Sequence, residues 1–208
     1  HTRYWRDWSS DVCSSDLDNF LKSDVLDLII SNWISPDDPR WHNEYSTVDG
    51  ERNLLEQGMK SISKIELMPQ AISRIVSIFH SNKFTEYLSK LLDYPGLISD
   101  SSMRWSGMRT MIPDSFQLVH SDARKNKETG LRKELTCLLY LNKDYLRSRD
   151  QGCLEIWDDL MTKCQYEIKP IENRLVIFVN SDTSYHGVPN VKSYRRSITW
   201  SKIGRAHV

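Results

Sequence analysis

The sequence has little of several features that define large classes of proteins. Its 208 residues contain four cysteines, and none of them has the spacing of a metal site. The 28 basic residues equal the 28 acidic residues, so the excess positive charge of a general nucleic-acid binder is absent. No apolar run reaches the length of a membrane-spanning helix. We therefore expect no nucleic-acid partner, no membrane contact, and free buried thiols in a reducing, cytoplasmic environment.

Both ends of the sequence lack the apolar periodicity of a folded segment. The codons GAC GTG TGC TCT TCC GAT CT encode residues from Asp11 to the start of Leu17. Their reverse complement encodes the end of Lys202 through Val208, so both ends fit the two strands of one oligonucleotide. It resembles a common short-read sequencing adapter, and such segments are excluded from fold reasoning. We expect unstructured adapter-derived tails at residues 1–17 and 203–208 around a metagenomic gene fragment at 18–202. The alternative is a natural polar tail and a basic C-terminus.

The region at 18–103 is predicted to be a helical support region of a single domain that spans residues 18–202. Apolar residues recur at helical spacing over 18–30 and from Pro69, which suits a first helical turn, to Phe79. A third helix is predicted over 84–92, before the stop at Tyr94-Pro95-Gly96. Residues 41–58 have no clear period and are expected to form a long loop with at most one short strand.

From about Arg104 the apolar period changes to two, which indicates strands. Turn residues separate eight short predicted strands, with one break at Pro113-Asp114. They cover residues 108–112, 116–121, 134–141, 153–157, 165–168, 174–180, 184–187 and 193–200. Eight short strands at this spacing predict an antiparallel sandwich or jelly roll over 104–202. With helices first and strands second, the fold class is α+β, with the helices backing one sheet.

A candidate metal site begins at His120-Ser121-Asp122. Residues i and i+2 of a strand point the same way, so His120 and Asp122 present an imidazole and a carboxylate to one side. His186 can complete the two-histidine, one-carboxylate set of non-haem Fe(II) oxygenases. A His-x-Asp triplet is weak evidence, because it occurs often by chance, and His186 before a glycine also suits a turn. Without the expected tails, four histidines remain: His42, His80, His120 and His186.

A candidate carboxylate anchor follows nine residues after His186. Arg195, Ser197 and Thr199 alternate on one predicted strand and share a face. A guanidinium with neighbouring hydroxyls suits a carboxylate through charge-assisted hydrogen bonds. The alternative is a surface Arg195-Arg196 pair on an edge strand.

These elements together resemble a known enzyme family. In order they are HSD at 120–122, LTCLLYLNKD at 135–144, GCLEIW at 152–157, NRLVIF at 173–178, HGV at 186–188 and RRSITW at 195–200. The order is similar to that of the Fe(II)/2-oxoglutarate dioxygenases of the prolyl 4-hydroxylase type. The resemblance covers residues 108–200, and the helical region before it has no diagnostic motif.

The resemblance implies a double-stranded β-helix, or jelly roll, with N-terminal support helices. It implies that His120, Asp122 and His186 are the catalytic iron ligands. It also implies that the far carboxylate of 2-oxoglutarate pairs with Arg195. By the same resemblance, Tyr140 donates to that carboxylate, Ser197 completes an Arg-x-Ser arrangement, and Thr199 supplies a further hydroxyl. The alternative for Tyr140 is an ordinary aromatic residue of the core.

The resemblance also predicts which other residues surround the pocket. Thr136 and Leu138 are expected to line it, with Leu154 as a wall residue, while Trp157 and Phe178 are expected in the core. The charged segment 123–133 either closes over substrate, as in the family, or is a solvated loop. Common prolyl hydroxylases often have Lys where this chain has Arg195, so the chain departs from them there. His42 and His80 are expected to be structural or on the surface.

The implied activity is hydroxylation of an unactivated C–H bond with O2, releasing succinate and CO2. Fe(II) is the cofactor, 2-oxoglutarate is the co-substrate, and ascorbate is the expected reductant. The substrate is either a prolyl peptide or a small metabolite, and the sequence does not choose between them. The alternative from another class is a non-catalytic jelly-roll binding module with an incidental or structural metal site.

Overall fold

The computed structural model describes residues 14–44, 46–48, 51–53, 55–103, 105–122, 125 and 130–204. Helices occupy a small part of this chain. They are α1 (Ser23–Ser31), α2 (Gln70–Phe79), α3 (Asn82–Leu91), the single turn α4 (Arg147–Asp150), and a 3₁₀ turn at Ile65–Leu67. The three helices predicted before residue 104 are therefore present. None of the described helices is both long and apolar enough to cross a bilayer.

The residues that precede α2 and α3 favour the start of a helix. Pro69 immediately precedes α2, where its missing N–H costs no helical hydrogen bond. The Ser81 hydroxyl accepts a hydrogen bond from the backbone N–H of Phe84 at 3.2 Å, which caps the N-terminus of α3. The buried side chains of α2, Ile72, Val76 and Phe79, lie on one face, so this helix packs against the sheet with an apolar stripe.

The described chain contains thirteen strands, and every pair between them is antiparallel. They are β1 (Ser14–Leu17), β2 (His42–Asn43), β3 (Ser46–Val48), β4 (Glu51–Asn53), β5 (Glu56–Ile62), β6 (Ile98–Ser99), β7 (Gly107–His120), β8 (Arg132–Tyr140), β9 (Leu154–Trp157), β10 (Cys164–Ile168), β11 (Leu175–Val179), β12 (His186–Val188) and β13 (Arg195–Gly204). The main path of the sheet runs β1-β11-β8-β13-β7-β12-β9-β10, while β3 and β4 form a separate hairpin. The sheet is curled, which confirms the predicted jelly roll.

Strand β7 joins the two halves of the curled sheet. Its first part, Gly107 to Met111, pairs with β13, and its last part pairs with β12 through Gln117 and His120. The predicted break at Pro113-Asp114 lies inside this one strand, where Asp114 has a φ of 64°. Pro113 lacks a backbone donor and Asp114 turns the chain, so the strand bends here without ending.

The predicted long loop at 41–58 is wrong, because β2, β3, β4 and the start of β5 lie within it. Strand β5 begins at Glu56 and pairs with β7 from Gln117 to Met108. The alternation of β5 is interrupted, because its register with β7 shifts between Gln57 and Met59, at Gly58 with a φ of 73°. The separate hairpin of β3 and β4 also lies in the predicted loop.

The chain ends differ from the expected unstructured tails. Ser14–Leu17 pairs with Phe178 to Leu175 at the edge of the sheet, and β13 continues to Gly204, with Ile203 buried. An edge strand presents free backbone donors and acceptors, which a segment of any sequence can pair with. Residues 1–13 and 205–208 lie outside the described residues. The adapter origin of the ends and the boundaries at 18 and 202 stay predictions.

Alternation along the central strands separates two apolar clusters. On β8, Leu135, Cys137 and Leu139 belong to the cluster shared with α1, α2 and α3. Tyr140 and Leu138 belong to the second cluster, inside the curled sheet. Trp200 of β13 stacks on Phe79 of α2 at a centroid distance of 4.0 Å. The helices therefore cover one face of the sheet, and the other face is left to line a cavity.

Candidate metal and co-substrate site

The pairing of β7 with β12 brings two distant histidines together. His186 is the direct cross-strand partner of His120, and their ring centroids are 4.5 Å apart. Asp122 follows the end of β7 by two residues. The potential ligand atoms of His120, Asp122 and His186 all lie within 4.8 Å of one another. The three predicted ligand residues therefore converge on one point.

Both imidazoles are oriented by backbone carbonyls. The Nδ1 atom of His120 lies 2.7 Å from the carbonyl oxygen of Leu118, and Nδ1 of His186 lies 3.0 Å from that of Ser184. A carbonyl can only accept, so Nδ1 carries the proton and Nε2 keeps the lone pair that binds a metal. Burial lowers the pKa of His186 to about 4, so its imidazole is neutral at pH 7, as a ligand must be.

Three donors hold one oxygen of Asp122. The Lys133 ammonium lies 2.5 Å from Oδ2, and the Thr136 hydroxyl donates to Oδ2 at 3.1 Å. The amide of Asn180, oriented by its hydrogen-bonding partners, donates to the same oxygen at 3.2 Å. The other oxygen, Oδ1, lies 3.9 Å from Nε2 of His120. Asp122 therefore presents one carboxylate oxygen towards the two histidines.

The charge of Asp122 is maintained by its surroundings. Burial raises the pKa of this carboxyl, but the nearby positive charge of Lys133 opposes that effect, and the pKa is lowered well below its usual range. Asp122 is therefore ionised at neutral pH.

The guanidinium of Arg195 lies in the interior of the curled sheet. It donates to the hydroxyl of Tyr140 at 2.9 Å and to the carbonyl of Gly152 at 3.0 Å, and it lies 4.9 Å from the centre of the Tyr140 ring. No carboxylate of the described chain contacts it. Burial raises the pKa of Tyr140, so its phenol stays protonated. Arg195 is a buried cation that lacks an anionic partner within the part of the chain described.

Ser197 and Thr199 follow Arg195 on the same face of β13, as predicted from their spacing. Both are buried and line the cavity. The hydroxyl of Thr199 donates to the carbonyl of Cys137 at 3.2 Å. Tyr140 is fully buried behind the guanidinium and is not part of the cavity wall. Its direct bond to a co-substrate stays a prediction.

One cavity of about 440 Å³ contains both groups. Its wall includes His120, Asp122 and His186 together with Arg195. The predicted lining residues Thr136, Leu138 and Leu154 are part of this wall. Phe178 was expected only in the core; it is buried there but also lines the cavity, with its ring centre 4.8 Å from that of His186. Trp157 is half-buried and does not belong to either apolar cluster.

Several residues of the cavity wall were not predicted. The charged and aromatic ones are Lys133, Arg109, Trp105, Glu44 and Glu56. Lys133 belongs to a charged segment that has no period, and Glu44 and Glu56 lie in the region predicted as loop. Arg109 shares the parity of Met111 on β7, so its position facing inward follows from alternation once the strand is known. Of the charged segment 123–133, residues 123–124 and 126–129 lie outside the described residues.

The remaining histidines are away from the cavity wall, as expected. The ring of His42 hydrogen-bonds to Ser61 at 2.7 Å on the exposed side of β2. His80 ends α2, and burial lowers its pKa to about 4. Cys137, Cys153 and Cys164 are free thiols.

The donor set fits Fe(II). Two neutral imidazoles and one carboxylate occupy one side of a metal ion and leave positions for other ligands, which is the arrangement of non-haem Fe(II) oxygenases. The nearby guanidinium of Arg195 suits a carboxylate ligand. A curled antiparallel sheet that carries both features is typical of Fe(II)-dependent oxygenases that use an organic acid as co-substrate.

Comparison with known families agrees with this class. Residues 107–200 match the family model described as the 2OG-Fe(II) oxygenase superfamily. The resemblance inferred from the sequence is confirmed, and the superfamily implies Fe(II) and 2-oxoglutarate. The comparison with curated protein sequences finds no significant match.

Solved structures share the fold. A prolyl-4-hydroxylase from Pseudomonas putida superposes with a TM-score of 0.63 at 15% identity, covering 92% of each chain. A prolyl hydroxylase from Trichoplax adhaerens, solved with a hypoxia inducible factor peptide fragment, has a TM-score of 0.64 at 17% identity, covering 94% of this chain and 84% of that one. A 2OG-Fe(II) oxygenase family oxidoreductase from Burkholderia pseudomallei has a TM-score of 0.62 at 14% identity, covering 92% and 87%. At these identities the likeness concerns the fold.

Proposed function

We propose that this protein is an Fe(II)- and 2-oxoglutarate-dependent hydroxylase that acts on an unactivated C–H bond. One observation carries the proposal: a single cavity contains three converging metal-type ligands and a buried guanidinium without a carboxylate partner among the described residues. A structural metal site has no use for that guanidinium, whereas a dicarboxylate co-substrate requires both groups.

In this proposal, Nε2 of His120, Nε2 of His186 and Oδ1 of Asp122 would hold the iron. The carbonyls of Leu118 and Ser184 keep the imidazoles in the tautomer that binds metal. Bound Fe(II) would supply the oxidising chemistry, in which O2 and 2-oxoglutarate react so that one oxygen atom enters succinate, CO2 is released, and the other oxygen atom is added to the substrate as a hydroxyl group.

Arg195 binds the far carboxylate of 2-oxoglutarate. Its bond to the Tyr140 hydroxyl and its bond to Gly152 hold the guanidinium plane, so little side-chain freedom is lost on binding. Ser197 and Thr199 line the cavity beside it and offer hydroxyl groups. The apolar wall formed by Leu138, Leu154 and Phe178 keeps water away from this end of the cavity.

The primary substrate is a prolyl peptide or a small molecule. The Trichoplax relative, solved with a peptide fragment, supports the first option. The cavity of about 440 Å³ supports the second, because enclosed sites for small molecules have volumes of roughly 300–1,000 Å³. O2 is the second substrate, ascorbate keeps the iron reduced, and the free cysteines suit a cytoplasmic location.

The activity is tested by the release of succinate. Protein supplied with Fe(II), ascorbate and 2-oxoglutarate should form succinate slowly without a primary substrate, because related chemistry runs uncoupled when none is present. No succinate from folded, iron-loaded protein would contradict the hydroxylase assignment and favour the binding module.

Two substitutions separate the metal ligand from the co-substrate anchor. Asp122→Ala should abolish Fe(II) binding and succinate formation, because two imidazoles alone bind the ion weakly. Arg195→Ala should retain Fe(II) and weaken 2-oxoglutarate binding by about tenfold or more, since a charge-assisted hydrogen bond is lost. Calorimetry with Mn(II) in place of Fe(II) measures both constants without turnover. If both variants bind 2-oxoglutarate as the parent does, the site is elsewhere.

A further inference from the structure

Three basic side chains of the described residues line the cavity, and two of them already have a partner or a proposed ligand. Lys133 is paired with Asp122, and Arg195 is assigned to the co-substrate. The third is Arg109, on β7. Its side chain is only 15% exposed, and burial lowers its pKa. A buried guanidinium is costly unless an anion or several acceptors satisfy it.

The described protein groups around Arg109 satisfy it incompletely. Nη1 donates to the hydroxyl of Ser63 and to the carbonyl of Met108, both at a long 3.3 Å. The nearest acidic partner is Glu44, 3.6 Å from Nη2, which is beyond hydrogen-bond distance. Glu44 accepts a close hydrogen bond from the Ser61 hydroxyl instead, which holds it away from the guanidinium. The Arg109 guanidinium has five N–H donors, and with the described residues it makes two hydrogen bonds, both of them long.

The position of Arg109 relates it to the co-substrate anchor. Arg109 is the cross-strand partner of Ser197, and Met111, two residues further along β7, is the partner of Arg195. Both guanidinium groups therefore project from the same face of two neighbouring strands. Along the strands, their positions differ by two residues. Glu44, Glu56 and Asp122 line the same cavity as Arg109, so this guanidinium shares the cavity with the candidate metal ligand Asp122.

The charge balance of the cavity disfavours a multiply charged anion. The described lining contains three basic residues (Arg109, Lys133 and Arg195) and three acidic residues (Glu44, Glu56 and Asp122). Fe(II) and the dianion of 2-oxoglutarate would add charges that cancel. Because Glu44 and Glu56 are close to Arg109, a doubly charged phosphate would meet more repulsion there than a carboxylate.

We propose that Arg109 binds the carboxylate of the primary substrate, and that this substrate is a small carboxylic acid. The inference rests on the proposed hydroxylase function. A planar guanidinium with free donors matches a carboxylate in two parallel hydrogen bonds. A prolyl residue inside a peptide has its carboxyl group in an amide bond and offers Arg109 no such charge.

The test uses protein loaded with Mn(II) and 2-oxoglutarate, so that binding is measured without turnover. L-proline, L-leucine and L-lysine are each titrated against their primary amides by calorimetry. We expect at least one acid to bind about tenfold or more tightly than its amide, because a charge-assisted hydrogen bond depends on the carboxylate. A parent protein that prefers no acid to its amide overturns the proposal.

A second experiment substitutes Arg109. Arg109→Gln should weaken binding of the preferred acid about tenfold or more and leave 2-oxoglutarate binding within about twofold. Arg109→Lys keeps the charge and should lose less. Arg147→Gln, which removes an exposed guanidinium paired with Glu167 outside this cavity, is the matched control and should bind like the parent. If Arg109→Gln weakens 2-oxoglutarate instead of the acid, Arg109 belongs to the co-substrate site and the proposal fails.

Failure of the proposed hydroxylase function and failure of the proposed substrate class give different results. Failure of the parent to bind 2-oxoglutarate in the first titration counts against the hydroxylase function itself. Failure of the acid-to-amide comparison in a parent that does bind 2-oxoglutarate counts against the substrate class alone. That comparison needs no variant, so it decides the matter even if Arg109→Gln does not fold.

Discussion

At the residue scale, the geometry of Asp122 depends on groups that do not touch the metal position. Lys133, Thr136 and Asn180 all bind Oδ2 and leave Oδ1 towards His120. Asn180 also accepts from the backbone N–H of Thr136 at 3.2 Å, so the amide connects β8 to the carboxylate. Groups of this kind set the direction of a ligand and tune its affinity.

Asn180→Ala should therefore weaken metal binding without removing it. We expect the dissociation constant for Mn(II) to rise roughly tenfold, the lower end of the effect typical of residues behind a metal ligand. The exposed Asn190→Ala is the control and should bind Mn(II) like the parent. Calorimetry on the purified variants measures the constants, and an unchanged constant for Asn180→Ala would show that the amide does not orient Asp122.

At the element scale, the start of β7 is held very close to the end of β5. Gly107 has a φ of 133°, and a Cβ atom there would lie 2.1 Å from the carbonyl oxygen of Ile62. Backbone cannot move aside as a flexible side chain can. Strand β7 carries Arg109 and His120, so this close approach helps to determine where both side chains lie.

Gly107→Ala should destabilise the fold by roughly 2 kcal/mol or more, from an unfavourable φ together with the clash. Gly96→Ala separates these causes, because Gly96 also has a positive φ, 81°, but has open space around it. We expect the control to cost about 1 kcal/mol. Urea unfolding of both variants gives the comparison, and equal losses would mean that the contact with Ile62 relaxes.

At the scale of the whole molecule, Lys202 ties the helical layer to the sheet. This fully buried side chain of β13 donates to the carbonyl of Phe79 at the end of α2, at 2.6 Å, and to the hydroxyl of Thr85 in α3, at 2.7 Å. Burial lowers its pKa to about 8 from an ordinary value of 10.5. The cluster of helices and sheet therefore encloses a charge at neutral pH.

The free energy of unfolding should consequently increase as the pH rises from about 8 to 10.5. Between about pH 8 and 10.5 the unfolded chain binds a proton at Lys202 that the folded chain has lost, so unfolding becomes less favourable as pH increases. Below pH 8 the full cost of burying the charge is present. From pH 7.5 to 9 we expect a gain of about 1 kcal/mol in the free energy of unfolding.

Lys202→Met should remove this gain, which is measured by urea unfolding of both proteins at the two pH values. Keeping the upper value at pH 9 limits the opposing effect of Cys137, whose pKa burial raises to about 12. The exposed Lys169→Met should retain the gain. If the free energy of unfolding depends on pH in the same way in the parent and in Lys202→Met, Lys202 is not the cause of the gain.

The sequence by itself determined which residues share a face and which chemistry they offer. Alternation along a strand is a local property of the backbone, so it placed Arg195, Ser197 and Thr199 together and assigned Leu138 and Thr136 to the cavity. The helices of the support region followed from their apolar period in the same way. The family motifs added the pairing of His120 with His186, which no local rule supplies.

Only the tertiary structure decided which strands are neighbours and which charges meet. Strand pairing joins residues far apart in the chain, so β5 in a predicted loop and Ser14–Leu17 in a predicted tail became strands because an edge was available to them. Lys133 pairs with Asp122 and Arg109 lies beside Ser197 for the same reason. Long-range hydrogen bonds between strands therefore set the environment of the site, whereas the local period sets only the direction of each side chain.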